Sequence, residues 1–150
     1  MNNLNNIVGD LNPSVPKILF IEDSPLIQHM YSSLLKHNGF DHDLATDEKE
    51  ALELFFNNSY NLIVLDIGLS DMYSVEVVRK IRASIRNPHI PIIALVDFKF
   101  LVNYDCLNAA IDEILFKPIF TKNLIAALLK WLYIKINKTI LMSDLYISNS

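Results

Sequence analysis

Three short runs of the sequence carry apolar residues side by side instead of alternating: KILFI (17–21), LIVLD (62–66) and PIIALV (91–96). A strand with one face in water alternates apolar and polar residues. Continuous runs of this length suit strands covered on both faces, as in a parallel sheet with helices on each side. The segments between them support that reading. Ser24 is a candidate N-cap with Pro25 in the first turn. Leu26, Ile27, Met30, Leu34 and Leu35 then recur at helical spacing up to a stop at Asn38-Gly39.

The same alternation continues along the chain. FDHDLA (40–45) reads as a short strand. Asp47 with Glu50 three residues later resembles a capping box, and Ala51, Leu54 and Phe55 give the following helix its inner stripe. After LIVLD and the loop IGLSDMYS, Val75, Val78, Ile81 and Ile85 mark a third helix ending near Asn87-Pro88. A weaker helical stretch at 102–110 follows PIIALV. EILF (113–116) is a fifth strand, and Thr121 caps a last helix carrying Leu124, Ile125, Leu128, Leu129, Leu132 and Ile136. Five β-α units in series predict an α/β fold, a doubly wound parallel sheet. The expected limits are a loose, Asn-rich leader at 1–16, one domain at 17–136 and a short tail at 137–150.

Composition narrows the function classes. Hydrophobic residues make up 51% and charged residues 20%, so the chain can bury a core. The net charge of −4 argues against a nucleic-acid partner, which needs clustered Lys and Arg. No apolar run is long enough to span a bilayer, so no membrane partner is expected. The start lacks the charged and apolar regions of a secretory signal. Cys106 is the single cysteine, which excludes an internal disulfide and suits a reducing compartment. The expected location is the cytoplasm. His29, His37, His42 and His89 show no metal-ligand spacing.

Function in an open parallel sheet gathers at the carboxyl ends of the strands. Those ends carry Glu22-Asp23, Asp66, Val96-Asp97 and the approach to Lys117-Pro118. Neighbouring carboxylates repel unless a hard cation or raised pKa values offset them, and oxygen ligands with room for water suit Mg2+. An aspartate so neutralised can attack a phosphoryl group, and a lysine can hold a phosphoryl oxygen as a point charge. The plain alternatives are a strand terminator for Asp66, helix N-terminal charges for Glu22 and Asp23, and a solvated lysine for Lys117.

The stretches ILFIEDSPLIQHMYSSLL, LIVLDIGLSDMYSVEVVRKIR, PIIALV and CLNAAIDEILFKPI, in that order, resemble the receiver domain of two-component response regulators over roughly residues 16–134. The resemblance implies a flavodoxin-like strand order, 2-1-3-4-5. It implies Asp66 as phosphoacceptor, Glu22 and Asp23 as the acidic pair for Mg2+, and the backbone carbonyl of Gly68 as a further metal ligand. Lys117 would bind the phosphoryl group, next to a cis Lys117-Pro118 bond. The implied partners are a histidine kinase or histidine phosphotransfer protein and a downstream protein met through helix 4, strand 5 and helix 5, a face that also serves homodimers. Only self-phosphorylation and dephosphorylation would be catalytic.

Several positions depart from the family. Val96 stands where a Thr or Ser is usual and has no hydroxyl to offer. Asp97 replaces a small residue. Facing in about 6 Å from a phosphoryl group, it would add roughly 3 kcal/mol of repulsion per unit charge. A loop position, a helix N-cap or an ion pair with Lys117 are its other readings. Ile114 replaces the switch aromatic, Ser70 and Ser74 stand where Pro and Gly are usual, and the segment after Val96 is about one residue short. The acceptor, acidic pair and lysine are retained while the coupling positions are not. The expected function is therefore a single-domain receiver, with a phosphorylation-independent interaction module, a pseudo-receiver, as the alternative. A doubly wound enzyme with an Asp-x-Asp motif is disfavoured, because Gly68 occupies the second place.

Overall fold

The computed structural model of the chain describes residues 15–68, 72–97 and 110–133, without the side chains of 72–75. The expected leader up to residue 14, most of the 102–110 helix with Cys106, Ser70, Ile136 and the tail lie outside these residues, as does the side chain of Ser74. Strands β1 (Lys17–Ile21), β2 (Asp41–Ala45), β3 (Leu62–Ile67), β4 (Ile92–Asp97) and β5 (Glu113–Lys117) form one sheet in the order β2-β1-β3-β4-β5. Each neighbouring pair is parallel. Helices α1 (Pro25–His37), α2 (Glu48–Asn57) and α3 (Met72–Ala83) and a helix over 121–133 supply the crossovers and outer layers.

The sheet separates two apolar layers. Ile18, Phe20, Val64, Leu95 and Leu124 belong to one, closed by α1 and the 121–133 helix. Leu19, Ile21, Leu65, Val77 and Ile81 belong to the other, closed by α2 and α3. Alternate residues of β1, β3 and β4 thus enter opposite layers, which is why these strands read as unbroken apolar runs.

Local starts and stops follow from side-chain chemistry. Ser24 caps α1 with Pro25 in the first turn. The chain leaves that helix through Gly39 at φ +80°, a conformation that favours glycine. Asp47 accepts the Glu50 N–H at 2.8 Å, but Glu50 does not close the expected box onto Asp47. Its carboxylate accepts from the backbone and hydroxyl of Thr46, one residue earlier.

Three expectations about helix faces need correction. Leu26 and Met30 are exposed; the inward face of α1 is centred on Leu35, Leu34 and Tyr31, with Tyr31 stacked on Phe20 at 4.5 Å between ring centroids. The helix rotates about 100° per residue, and an aromatic at position 31 turns that face away from 26 and 30. Ile85 lies past the end of α3 and is fully exposed, while Val77 takes the inner place beside Val78 and Ile81. Ser84 ends that helix, bonding the Ile81 carbonyl through its N–H and its hydroxyl. Leu129 of the last helix is exposed, whereas Leu124, Ala127, Leu128 and Leu132 are buried.

Arg82, at the end of α3, spans a wider gap. Its guanidinium donates to the carbonyls of Pro88, Ile90 and Ala110 and to the carboxylate of Asp112. Asp112 also accepts the Ile92 N–H at 2.8 Å. One side chain thereby ties the entries of β4 and β5 to α3.

Candidate functional site

The two-residue strand period brings the charged residues together. Glu22 continues the row of Ile18 and Phe20, Asp66 that of Leu62 and Val64, and Lys117 that of Leu115, all facing the α1 layer. At the carboxyl edge of the sheet that face runs out of apolar neighbours, and the charged groups meet there. Lys117 Nζ pairs with Asp66 Oδ1; the Asp66 side chain is 3% exposed and that of Lys117 30%. The Lys117-Pro118 peptide bond is cis.

Glu22 is the one buried charged or polar residue among those described, at 5% exposure. Its Oε1 accepts the Ser24 N–H at 2.9 Å, and its carboxyl lies against Asp66. Burial, then contact with Asp66, pushes the Glu22 carboxyl up to about 8. The Tyr31 hydroxyl is pushed up to about 12, first by burial and then by the charges of Asp66 and Glu22. Asp23 and Gly68 are exposed at the same edge. A cavity of about 810 Å³ opens beside Glu22, Asp23 and Asp66 and runs between α2 and α3 past Leu52, Phe56 and Val77. Among the described residues no three His, Cys, Asp or Glu side chains form a ready metal cluster.

The departing positions have defined places. Val96 is 1% exposed and stands between Ile67 of β3 and Phe116 of β5 in register, on the α2/α3 side. Asp97 is the last residue of β4, within the strand, and its register partner is Lys117. Ile114 is half-buried against the α2/α3 layer. The aromatic on that strand, Phe116, is two residues further along and 42% exposed.

Sequence reasoning passed over two residues beside the site. Tyr31 and Gln28 both lie towards the sheet on α1, and Gln28 donates its amide to the backbone of β1 and β2. Their signal is helical phase: both fall on the Leu35 side of the wheel, which a count of apolar residues alone obscures.

The family model of the response regulator receiver domain matches residues 18–129. The chain belongs to that family. As a receiver domain it is 33% identical to the response regulator ArlR of Staphylococcus saprophyticus over 113 residues, covering 73% of this chain and 49% of the relative. It is 31% identical to the aerobic respiration control sensor protein ArcB of Escherichia coli, covering 76% of this chain and 15% of the relative. The chain thus spans about half of one relative and a small part of the other.

Solved receiver domains share the fold. The receiver domain of the sensor histidine kinase PA1611 from Pseudomonas aeruginosa, which holds a magnesium ion in its active site cleft, superposes with a TM-score of 0.71 at 28% identity. That match covers 79% of this chain and 98% of the other. The response regulator TrrA of Thermotoga maritima, in complex with Mg(2+)-BeF, gives a TM-score of 0.68 at 28% identity, over 78% of this chain and 99% of the other. The family is a signalling module. No helix among the described residues is long and apolar enough to cross a membrane.

Proposed function

We propose that this receiver domain accepts a phosphoryl group on Asp66 from a phosphohistidine of a histidine kinase or phosphotransfer protein. The observation that carries the reading is the buried Asp66 carboxylate held between Lys117 and Glu22 at the carboxyl edge of the sheet. An Asp66 oxygen attacks phosphorus, the P–N bond to the donor imidazole breaks, and an acyl phosphate forms on Asp66. Lys117 moves its contact from the carboxylate to a phosphoryl oxygen, as a flexible point charge can.

Asp23, Asp66 and the Gly68 carbonyl, with Glu22 through water, are the groups that would hold Mg2+. They fit that ion because Mg2+ takes one or two carboxylates and keeps several waters, so a three-carboxylate cluster is not needed. Bound there, Mg2+ supplies charge neutralisation. A cation there would offset the repulsion between the Glu22 and Asp66 carboxyls at this edge.

The output would be binding of another protein. Exposed Leu129 and Tyr133, four residues apart on the 121–133 helix, offer apolar surface to it, or to a second copy.

Treating the chain with acetyl phosphate and Mg2+ tests the reading. The expected result is a mass gain of one phosphoryl group on the wild type and none on Asp66→Asn. An unmodified wild type would leave the second reading, a phosphorylation-independent interaction module. Buried Val96, lacking a hydroxyl, and the aliphatic Ile114 favour that module.

A further inference from the structure

We propose that Gln28 is a positioning residue for the acidic pair, an inference that rests on the Mg2+ reading of Glu22 and Asp23. Gln28 is half-buried in the first turns of α1, where its N–H bonds the Ser24 carbonyl at 2.9 Å. Its Nε2 donates to the Glu22 carbonyl at 2.6 Å and to the Ala45 carbonyl at 3.3 Å. Two carbonyl acceptors fix which end of the amide carries the nitrogen, and one NH2 group has the two hydrogens needed.

The location gives these bonds their meaning. The Glu22 carbonyl belongs to the same peptide plane as the Asp23 N–H, so whatever orients that carbonyl orients the joint between the two acidic residues. The Ala45 carbonyl already accepts the Glu22 N–H at 3.0 Å. Gln28 thus completes a three-way junction of β1, β2 and α1 around the peptide from which both carboxylates branch. The Glu22 side chain is separately fixed by the Ser24 N–H at 2.9 Å. Asp23 is exposed, and its side chain branches from the far end of the Glu22-Asp23 peptide. Partners behind the ligands are what hold a metal site in shape, and their loss commonly lowers metal affinity about tenfold or more.

A merely structural glutamine would lower stability alone. Ser32 supplies the comparison, since its hydroxyl joins α1 to β2 through His42 at 2.8 Å without touching the acidic residues. Mg2+ titrations of the full chain, followed by the amide resonances of Asp23 and Ser24, would be run beside urea unfolding. The variants are Gln28→Met, the milder Gln28→Asn and Ser32→Ala. Metal-free hydrogen exchange at the Glu22 amide is the second readout.

The expected result is a Mg2+ dissociation constant about tenfold higher in Gln28→Met, raised in the same direction in Gln28→Asn and unchanged in Ser32→Ala. The Glu22 amide would exchange faster only in the Gln28 variants. Equal Mg2+ affinity in the wild type and both Gln28 variants overturns the proposal, as does an equal loss in Ser32→Ala. A wild type that binds no Mg2+ defeats the metal reading instead, and the exchange of the Glu22 amide then decides the role of Gln28 on its own.

Discussion

At the scale of single residues, the site is a contest over one proton and one cation. Glu22 is buried against Asp66, and its raised pKa means that the folded protein holds a proton that the unfolded chain releases near 4.5. The stability this contributes is full below about 4.5 and is lost as pH rises through about 8. Urea unfolding of the metal-free protein should therefore show stability falling between those values, with a slope approaching about 1.4 kcal/mol per pH unit. Glu22→Gln should flatten the slope. Lys117→Met leaves the Asp66 carboxylate without its cation and should cost roughly 1–3 kcal/mol. The loss should be larger at pH 8 than at pH 5, where a protonated Glu22 can donate to Asp66. The charged residues were legible in the sequence because each ends an apolar run. Their order of burial was not, since it depends on how far α1 and the 121–133 helix cover the sheet edge. That cover leaves Glu22 inside and Asp23 outside, although they are neighbours.

At the scale of elements, the strands were the most legible part of the chain. All five occur within a residue or so of the runs that announced them, and for β1, β3 and β4 burial on both faces leaves no alternative pattern. The four helices that fall on described residues were read correctly in existence but less well in phase. Leu26, Met30, Ile85 and Leu129 all look like core residues by spacing and all are exposed. Position on the wheel is set by the largest group that fits the sheet, as Tyr31 on Phe20 illustrates. Asp47 caps α2 as its own chemistry predicts, although the Glu50 carboxylate accepts from Thr46 instead, so Asp47→Ala should cost about 1 kcal/mol, read as a shift in the urea midpoint. Arg82 was invisible in the sequence because its partners are mostly carbonyls, which every residue has. Arg82→Ala should cost roughly 2–3 kcal/mol, and Arg82→Lys should recover less than half, since one ammonium cannot reproduce a fork bridging three carbonyls and a carboxylate.

At the scale of the whole molecule, the acceptor and the lysine lie on the opposite face of the sheet from two of the altered positions, while altered Asp97 shares the row of Ile93 and Leu95 and is in register with Lys117. Glu22, Asp66 and Lys117 continue the rows facing α1, whereas Val96 and Ile114 lie on the side of α2 and α3. Under the proposed function, a phosphoryl mimic would bind on the α1 side, while buried Val96 on the other side offers no hydroxyl to report it. Mg2+ with beryllofluoride should stabilise the fold by about 2.7 kcal/mol at a hundredfold excess over its dissociation constant. Calorimetry can show this whether or not the shape changes. A response confined to stability, without shifts in β5, would mark the interaction-module reading; shifts across β5 would mark a working switch. The protein carries its own gauge for that distinction. Trp131 is the single tryptophan of the chain, and its indole N–H donates to Glu113 at the start of β5 at 2.6 Å. Its emission is therefore a label-free optical meter on the seam between that strand and the last helix.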